Sequence, residues 1–241
     1  MMRKRQSNDR LKFRALQACA AVLLLLALGY GAENKSEEGQ FSIYMAGKEI
    51  GREKFSIKAS GDTLSSSSTL TFREPGQRRR NIKIETELIM NSRFVPLMYQ
   101  LRTDVDGKQG AVKGVFGSGQ ASFEYISGAD ARKTGLIVGD GCLMLDTNVF
   151  HHFIFVARLF DFDRKDELQS MEVVVPQEAA NGLLKISDAG HETVSVLGKK
   201  RQLHHLKVNT GAAQVDLWVD DQHVLYKIAL PANRLEVVRS S

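Results

Sequence analysis

Cysteine is nearly absent from this 241-residue sequence: there are two, and only Cys142 lies beyond the N-terminal segment. An intrachain disulfide in the mature chain is therefore excluded, even in an oxidising compartment. A lone thiol in "GDGCLML", with no activating partner beside it, reads as a small buried hydrophobe. Nucleotide and hydrolase signatures are missing as well, with no P-loop, G-x-S-x-G or C-x-x-C. The expectation is a protein that is not an enzyme, with no catalytic residue, no metal and no cofactor. There is no low-complexity linker in mid-chain, so one domain is read.

Net charge disappears once the N-terminus is set aside. Residues 1–32 hold six of the 33 basic side chains and one of the 28 acidic ones, which leaves 27 of each. The high isoelectric point belongs to that segment, and whole-molecule attraction to nucleic acid or anionic membrane loses its basis. The segment itself has Arg3, Lys4, Arg5, Arg10, Lys12 and Arg14 ahead of an apolar run, Ala18–Leu28, followed by Gly29, Gly31 and Ala32. That order is the secretory signal pattern. The run has 11 residues, against about 20 needed to span a bilayer as a helix. Cys19 has the apolar run after it instead of before it and so is not a lipobox cysteine, and no twin-arginine motif is present. The predicted organisation is a signal peptide over 1–31, a polar leader over 32–39 and one β-rich domain over 40–241. Cleavage after Gly31, cleavage at Gly29 and retention as an anchor stay open. The predicted location is periplasmic or secreted, with no stable membrane span after cleavage.

What is abundant is period-2 alternation, the mark of half-buried strands. "QFSIYMAG" puts Phe41, Ile43 and Met45 on one face, and "EKFSIKAS" does so with Phe55 and Ile57. "DTLSSSSTLTF" alternates small polar residues, and "NIKIETELIM" aligns Ile82, Ile84, Leu88 and Met90. "FVPLMYQLRT" aligns Val95, Leu97, Tyr99 and Leu101. "GAVKGVFGSGQASFEYISG" reads as two strands. Seven more candidates follow: "SMEVVVP", "GLLKISDAG", "HETVSVLG", "RQLHHLKVNTG", "AQVDLWVDD", "HVLYKIALP" and "RLEVVR". The predicted fold is mainly β, a curved antiparallel sheet or incomplete β-barrel with one central apolar α-helix packed on it, after an N-terminal signal helix.

That helix is "DTNVFHHFIFVARLFDFD", Asp146–Asp163. Asp146 or Thr147 is a candidate N-cap. Val149, Phe150, Phe153, Ala157 and Phe160 form one stripe, and Phe155, Val156, Leu159 and Phe162 form a second on the other side. A helix apolar all round is either sandwiched in a core or touches something beyond the sheet. Phe153, Phe155, Val156, Leu159 and Phe160 are the candidate ligand-binding residues. His151 and His152 are adjacent, hence about 100° apart on a helix, without the i, i+4 spacing of a helical metal pair. A zinc site would have to recruit His191, His204 or His205, and strand alternation sends His204 and His205 to opposite faces. Two packed, hydrogen-bonded histidines are the simpler reading. "QRRRN" (Gln77–Asn81) reads as a solvated basic turn. Trp218 has polar neighbours on its own face, which suits either a wet surface or strand-edge packing.

The phrases "YMAGKEIGREKFSI", "LDTNVFHHFIFVARLF" and "VDLWVDDQHVLYKIALP" are similar to bacterial exported domains of unknown function. Those domains resemble the outer-membrane lipoprotein carriers, in which a curved antiparallel half-barrel and helices close an apolar cavity. The resemblance implies the fold, and by analogy an acyl-chain ligand. Together with the helix, it leads to an exported module binding a lipid or other apolar small molecule between sheet and helix. The alternative is a structural or interaction protein of the envelope, with a filled core and an edge strand offered to an envelope protein. A hydrolase or metal enzyme using His151 or His152 ranks last.

Overall fold

A computed structural model describes residues 36–74 and 80–241. The expected signal peptide, the first part of the leader and Gln77–Arg79 of the basic turn lie outside the described residues. The first run of strands is β1 (Glu37–Met45), β2 (Lys48–Ser60), β3 (Thr63–Arg73), β4 (Asn81–Asn91), β5 (Pro96–Val105), β6 (Lys108–Gly117), β7 (Gln120–Ser127) and β8 (Asp130–Ile137). The second is β9 (Leu143–Met144), β10 (Gln169–Val175), β11 (Ala180–Val196), β12 (Lys199–Asn209), β13 (Gln214–Val219), β14 (Leu225–Leu230) and β15 (Leu235–Arg239). All fifteen form one sheet, running from β8 through β1 to β15 and on to β9. The chain thus starts in the middle of the sheet and winds to one edge. It then crosses to the far edge and winds back to pair β15 with β1. The sheet is curved and unclosed, as the alternation predicts.

Hairpins explain most of this order, because antiparallel neighbours need only short turns. β9 and β10 are instead parallel, pairing Leu143 with Val173 and Met144 with Val174. Parallel neighbours require a crossover, and this crossover is the helical segment. It has a 3-10 turn at Phe150–His152 followed by α1 (Phe153–Leu159). The helix is shorter than the sequence periodicity predicts, since Phe160 turns extended at ψ 125°. Neither Asp146 nor Thr147 caps it: the 3-10 turn starts from Val149 without a side-chain cap. Asp146 is drawn into the core instead, as described below.

On the inner face, Glu53, Phe55 and Ile57 of β2 alternate inward, as do Leu64, Ser66, Ser68 and Leu70 of β3 and Ile84, Thr86, Leu88 and Met90 of β4. The helix lies against this face, and Phe153–Ala157 are all buried. Arg158 and Arg239 both donate to the Glu37 carboxylate, which ties the helix end to the β1–β15 seam.

Three strand assignments differ from the sequence reading, one of them the two-residue β9, Leu143–Met144, which is too short to show a period. "GLLKISDAG" and "HETVSVLG" are one 17-residue strand, β11, with a register shift between Asp188 and His191. Gly190 takes φ +92° there, so the glycine marks a β-bulge and not a turn. β8, "DARKTGLI", carries no clean alternation because it is an edge strand, mostly exposed on both faces.

Candidate functional site

The two histidines sit where the helical segment meets β2, β3 and β5, and both are fully buried. Burial of a polar ring is tolerated only with partners. His151 has a full set: its Nδ1 lies 2.7 Å from the Glu53 carboxylate, and its backbone N–H donates to the other carboxylate oxygen at 3.1 Å. A carboxylate only accepts, so Nδ1 carries the proton, and Nε2 pairs with the Ser66 hydroxyl at 2.9 Å. Glu53 has no solvent exposure and Ser66 has 2%.

His152 is held differently. Its Nδ1 accepts from the Asp146 backbone N–H at 3.2 Å, which leaves the proton on Nε2. That atom is buried and finds no hydrogen-bond partner among the described residues. Burial, reinforced by the neighbouring His151, pushes the His152 imidazole well below its ordinary pKa, so the neutral ring is the folded form. The Asp146 carboxylate accepts from the Tyr99 hydroxyl at 2.6 Å, the Thr147 N–H at 2.9 Å and the Gln177 N–H at 3.0 Å. Burial raises its pKa, with those donors pulling the other way. Tyr99 is pushed well above its usual value, first by burial and then by Asp146. The Cys142 thiol is likewise raised by burial and by Glu172, which removes thiolate character.

Serine, histidine and carboxylate in hydrogen-bonded sequence is the order of a hydrolytic relay. All three groups are buried beneath the helix, and together they link β2, β3 and the crossover.

Four of the five candidate ligand residues belong to the main core, and Leu159 packs against it. Phe155 and Val156 have no exposure, Phe160 has 1%, Phe153 has 8%, and Leu159 is half-buried. Phe155 meets Phe94 at 5.7 Å between ring centroids and His152 at 6.0 Å, while Phe160 meets Phe162 edge-on at 4.9 Å. Phe155 and Val156 of the second apolar stripe are therefore covered by the protein's own side chains, while Leu159 and Phe162 stay partly exposed. A groove of about 480 Å³ lies further along the sheet, bordered by Leu101, Val112, Tyr125 and Gln177 and by none of the five.

Alternation sends His204 and His205 to opposite faces, as read from the sequence. His204 bonds Asp188, whereas His205 stacks on Trp218 at 4.7 Å and bonds Asp216. Trp218 is buried in a small outer cluster with Val194, Val196 and Leu203, and its indole N–H donates to Glu192. Sequence reasoning missed Glu53, Ser66, Tyr99 and Asp146. A signal for one was present: Glu53 shares its strand parity with Phe55 and Ile57, which places a charge on the core face and demands a partner.

The outer face carries an apolar row. Ile89 pairs with Met98 and Met98 with Val115 across β4, β5 and β6, at 37%, 55% and 60% exposure. No helix among the described residues is long and apolar enough to cross a membrane.

These features define a class: an unclosed antiparallel sheet, barrel-like, wound around its own short crossover helix. A crystallised protein of the same shape is the β-barrel-like protein of domain of unknown function DUF1849 from Brucella abortus. It matches with TM-score 0.60 at 9% identity, over 85% of this chain and 94% of that one. A DUF1089 family protein from Pseudomonas aeruginosa matches at TM-score 0.47 and 12% identity, over 75% and 90%. The first likeness shows the fold alone. No protein-family model matches the sequence, and no curated protein matches it either.

Proposed function

We propose that the mature chain is an exported, non-catalytic interaction module of the cell envelope, working through its outer surface with its interior permanently filled. The observation that carries this reading is the division between the two faces. Inside, the helix occupies the space that a ligand would take, and the histidines are engaged in holding it. Outside, Ile89, Met98 and Val115 form a row of cross-strand neighbours exposed to solvent. Such a row favours an envelope protein presenting an apolar surface. The N-terminal basic and apolar pattern supports export.

A photocrosslinking residue in place of Met98, in cells of the source organism, tests the reading. One discrete protein adduct is expected in the envelope fraction, lost on Val115→Asp and absent when the probe replaces Lys113. No adduct at Met98, or an adduct indifferent to Val115→Asp, rejects it.

The groove beside Leu101, Val112 and Tyr125 favours a second reading: an apolar small molecule or lipid, extending the resemblance to the lipoprotein carriers. Native mass spectrometry after gentle purification decides it. A lipid-sized adduct recovered by extraction supports this reading, and a bare chain mass rejects it.

A further inference from the structure

The β11 bulge brings together groups that neither reading uses. On a regular strand Asp188 and His191, three apart, point to opposite faces. The extra residue at the bulge puts both on the face of His204: Asp188 pairs with Leu206 and His191 with His204, two positions apart on β12. The Gly190 N–H donates to one oxygen of Asp188 at 2.7 Å, and the other oxygen lies 3.0 Å from His204 Nδ1. The turn from β13 to β14 supplies Asp221, with Oδ1 3.0 Å from His204 Nε2. The His191 ring lies tilted beside His204 at 4.0 Å between centroids, and Phe162, just past the helix, lies against His204 at 4.3 Å.

His204 presents both of its ring nitrogens to carboxylates, Asp188 and Asp221. A neutral imidazole has one N–H, and Asp188 takes it at Nδ1. Nε2 then points its lone pair at a carboxylate that has only lone pairs to offer. A proton or a metal ion resolves that contact. His191 places a further imidazole donor beside that contact, one that a metal ion could use. A ligand atom from each of His191, His204 and Asp221 lies within 4.8 Å of the others.

We propose that His191, His204 and Asp221 bind one divalent transition-metal ion of the zinc kind, with Asp188 as the positioning residue for His204. Two imidazoles and a carboxylate are a donor set suited to zinc. A carboxylate on the far nitrogen of a ligating histidine fixes its tautomer and orientation. His204 and Asp188 are anchored at 9% and 4% side-chain exposure, while Asp221, 87% exposed, is free to close on an ion. His205, between Glu192 and Asp216 on the opposite face, is an internal control, since the Trp218 indole N–H already engages Glu192.

Calorimetric titration of the metal-stripped mature chain with zinc chloride, in a non-chelating buffer, is the test. One ion per chain is expected. His191→Ala and Asp221→Asn, both at exposed positions, should each weaken binding by at least about tenfold, and Asp188→Asn by about 10–100-fold. His205→Gln should leave it unchanged, with circular dichroism verifying the fold of every variant. Absence of binding, or binding indifferent to His191→Ala and Asp221→Asn, overturns the proposal. So does an NMR titration in which the His204 ring responds to pH and not to zinc, the signature of a protonated ion pair only.

Discussion

The His151 ring nitrogen lies 2.7 Å from the Glu53 carboxylate, 98 positions earlier in the chain, and neither side chain is exposed. Removing one partner strands the other in the core. Glu53→Ala should therefore lower unfolding free energy by about 3–5 kcal/mol. The double substitution Glu53→Leu with His151→Phe, which leaves neither group orphaned, should recover much of that loss. Urea unfolding of the three variants measures it, and equal losses for the single and double changes would count against a buried pair.

Tyr99→Phe removes the hydroxyl that donates to Asp146 while keeping the ring. The carboxylate retains two backbone donors. A destabilisation of about 1–3 kcal/mol is expected, the cost of a buried acceptor losing a partner. The same unfolding assay reads it.

His152 makes stability depend on pH in a defined direction. Its folded pKa lies below the ordinary 6.5, so the unfolded chain binds this proton more readily. The contribution is complete above about pH 6.5 and falls as pH drops below it, by up to about 1.4 kcal/mol per pH unit. Asp146, with a raised pKa, contributes in the opposite sense: its share is present below its ordinary value and lost as pH rises through the raised one. His152→Gln should flatten the acid side of the stability profile near pH 5–6.5. An unchanged slope in that variant would show that another group sets it.

Phe155→Ala leaves a void beneath the helix, where Phe94 and both histidine rings pack. A loss of about 3–5 kcal/mol is expected. Phe155→Leu, which fills most of the space, should cost less. Thermal unfolding of the two variants checks the order.

Much of the fold was legible because its strands are half-buried. Phe55, Ile57, Leu88 and Met90 repeat every second residue, and a period of two is visible in one dimension. The edge strand β8 escaped because it buries little and so has no pattern to show. β11 was split because Gly190 serves equally well in a turn or a bulge, and only the pairing of Asp188 with Leu206 distinguishes them. The apolar surplus of the helix was readable in Phe153 and Phe155, but not what covers it. His151 meets Glu53 and Ser66 through contacts 98 and 85 residues apart, and no local spacing encodes such a meeting. The same holds for His191, His204 and Asp221, which depend on a bulge and a distant turn.

The seam between β1 and β15 has a consequence for how the chain reaches this state. Each arm of the sheet is largely a succession of hairpins between sequence neighbours, while the seam joins residues such as Phe41 and Arg239 from opposite ends of the chain. Loop closure over that distance is slow relative to hairpin formation. The two arms can therefore zip early, but the barrel-like wall is joined only once the last strand, Leu235–Arg239, is available. A polypeptide made from its N-terminus would keep its β1 edge bare until Leu235–Arg239 arrives to pair with it.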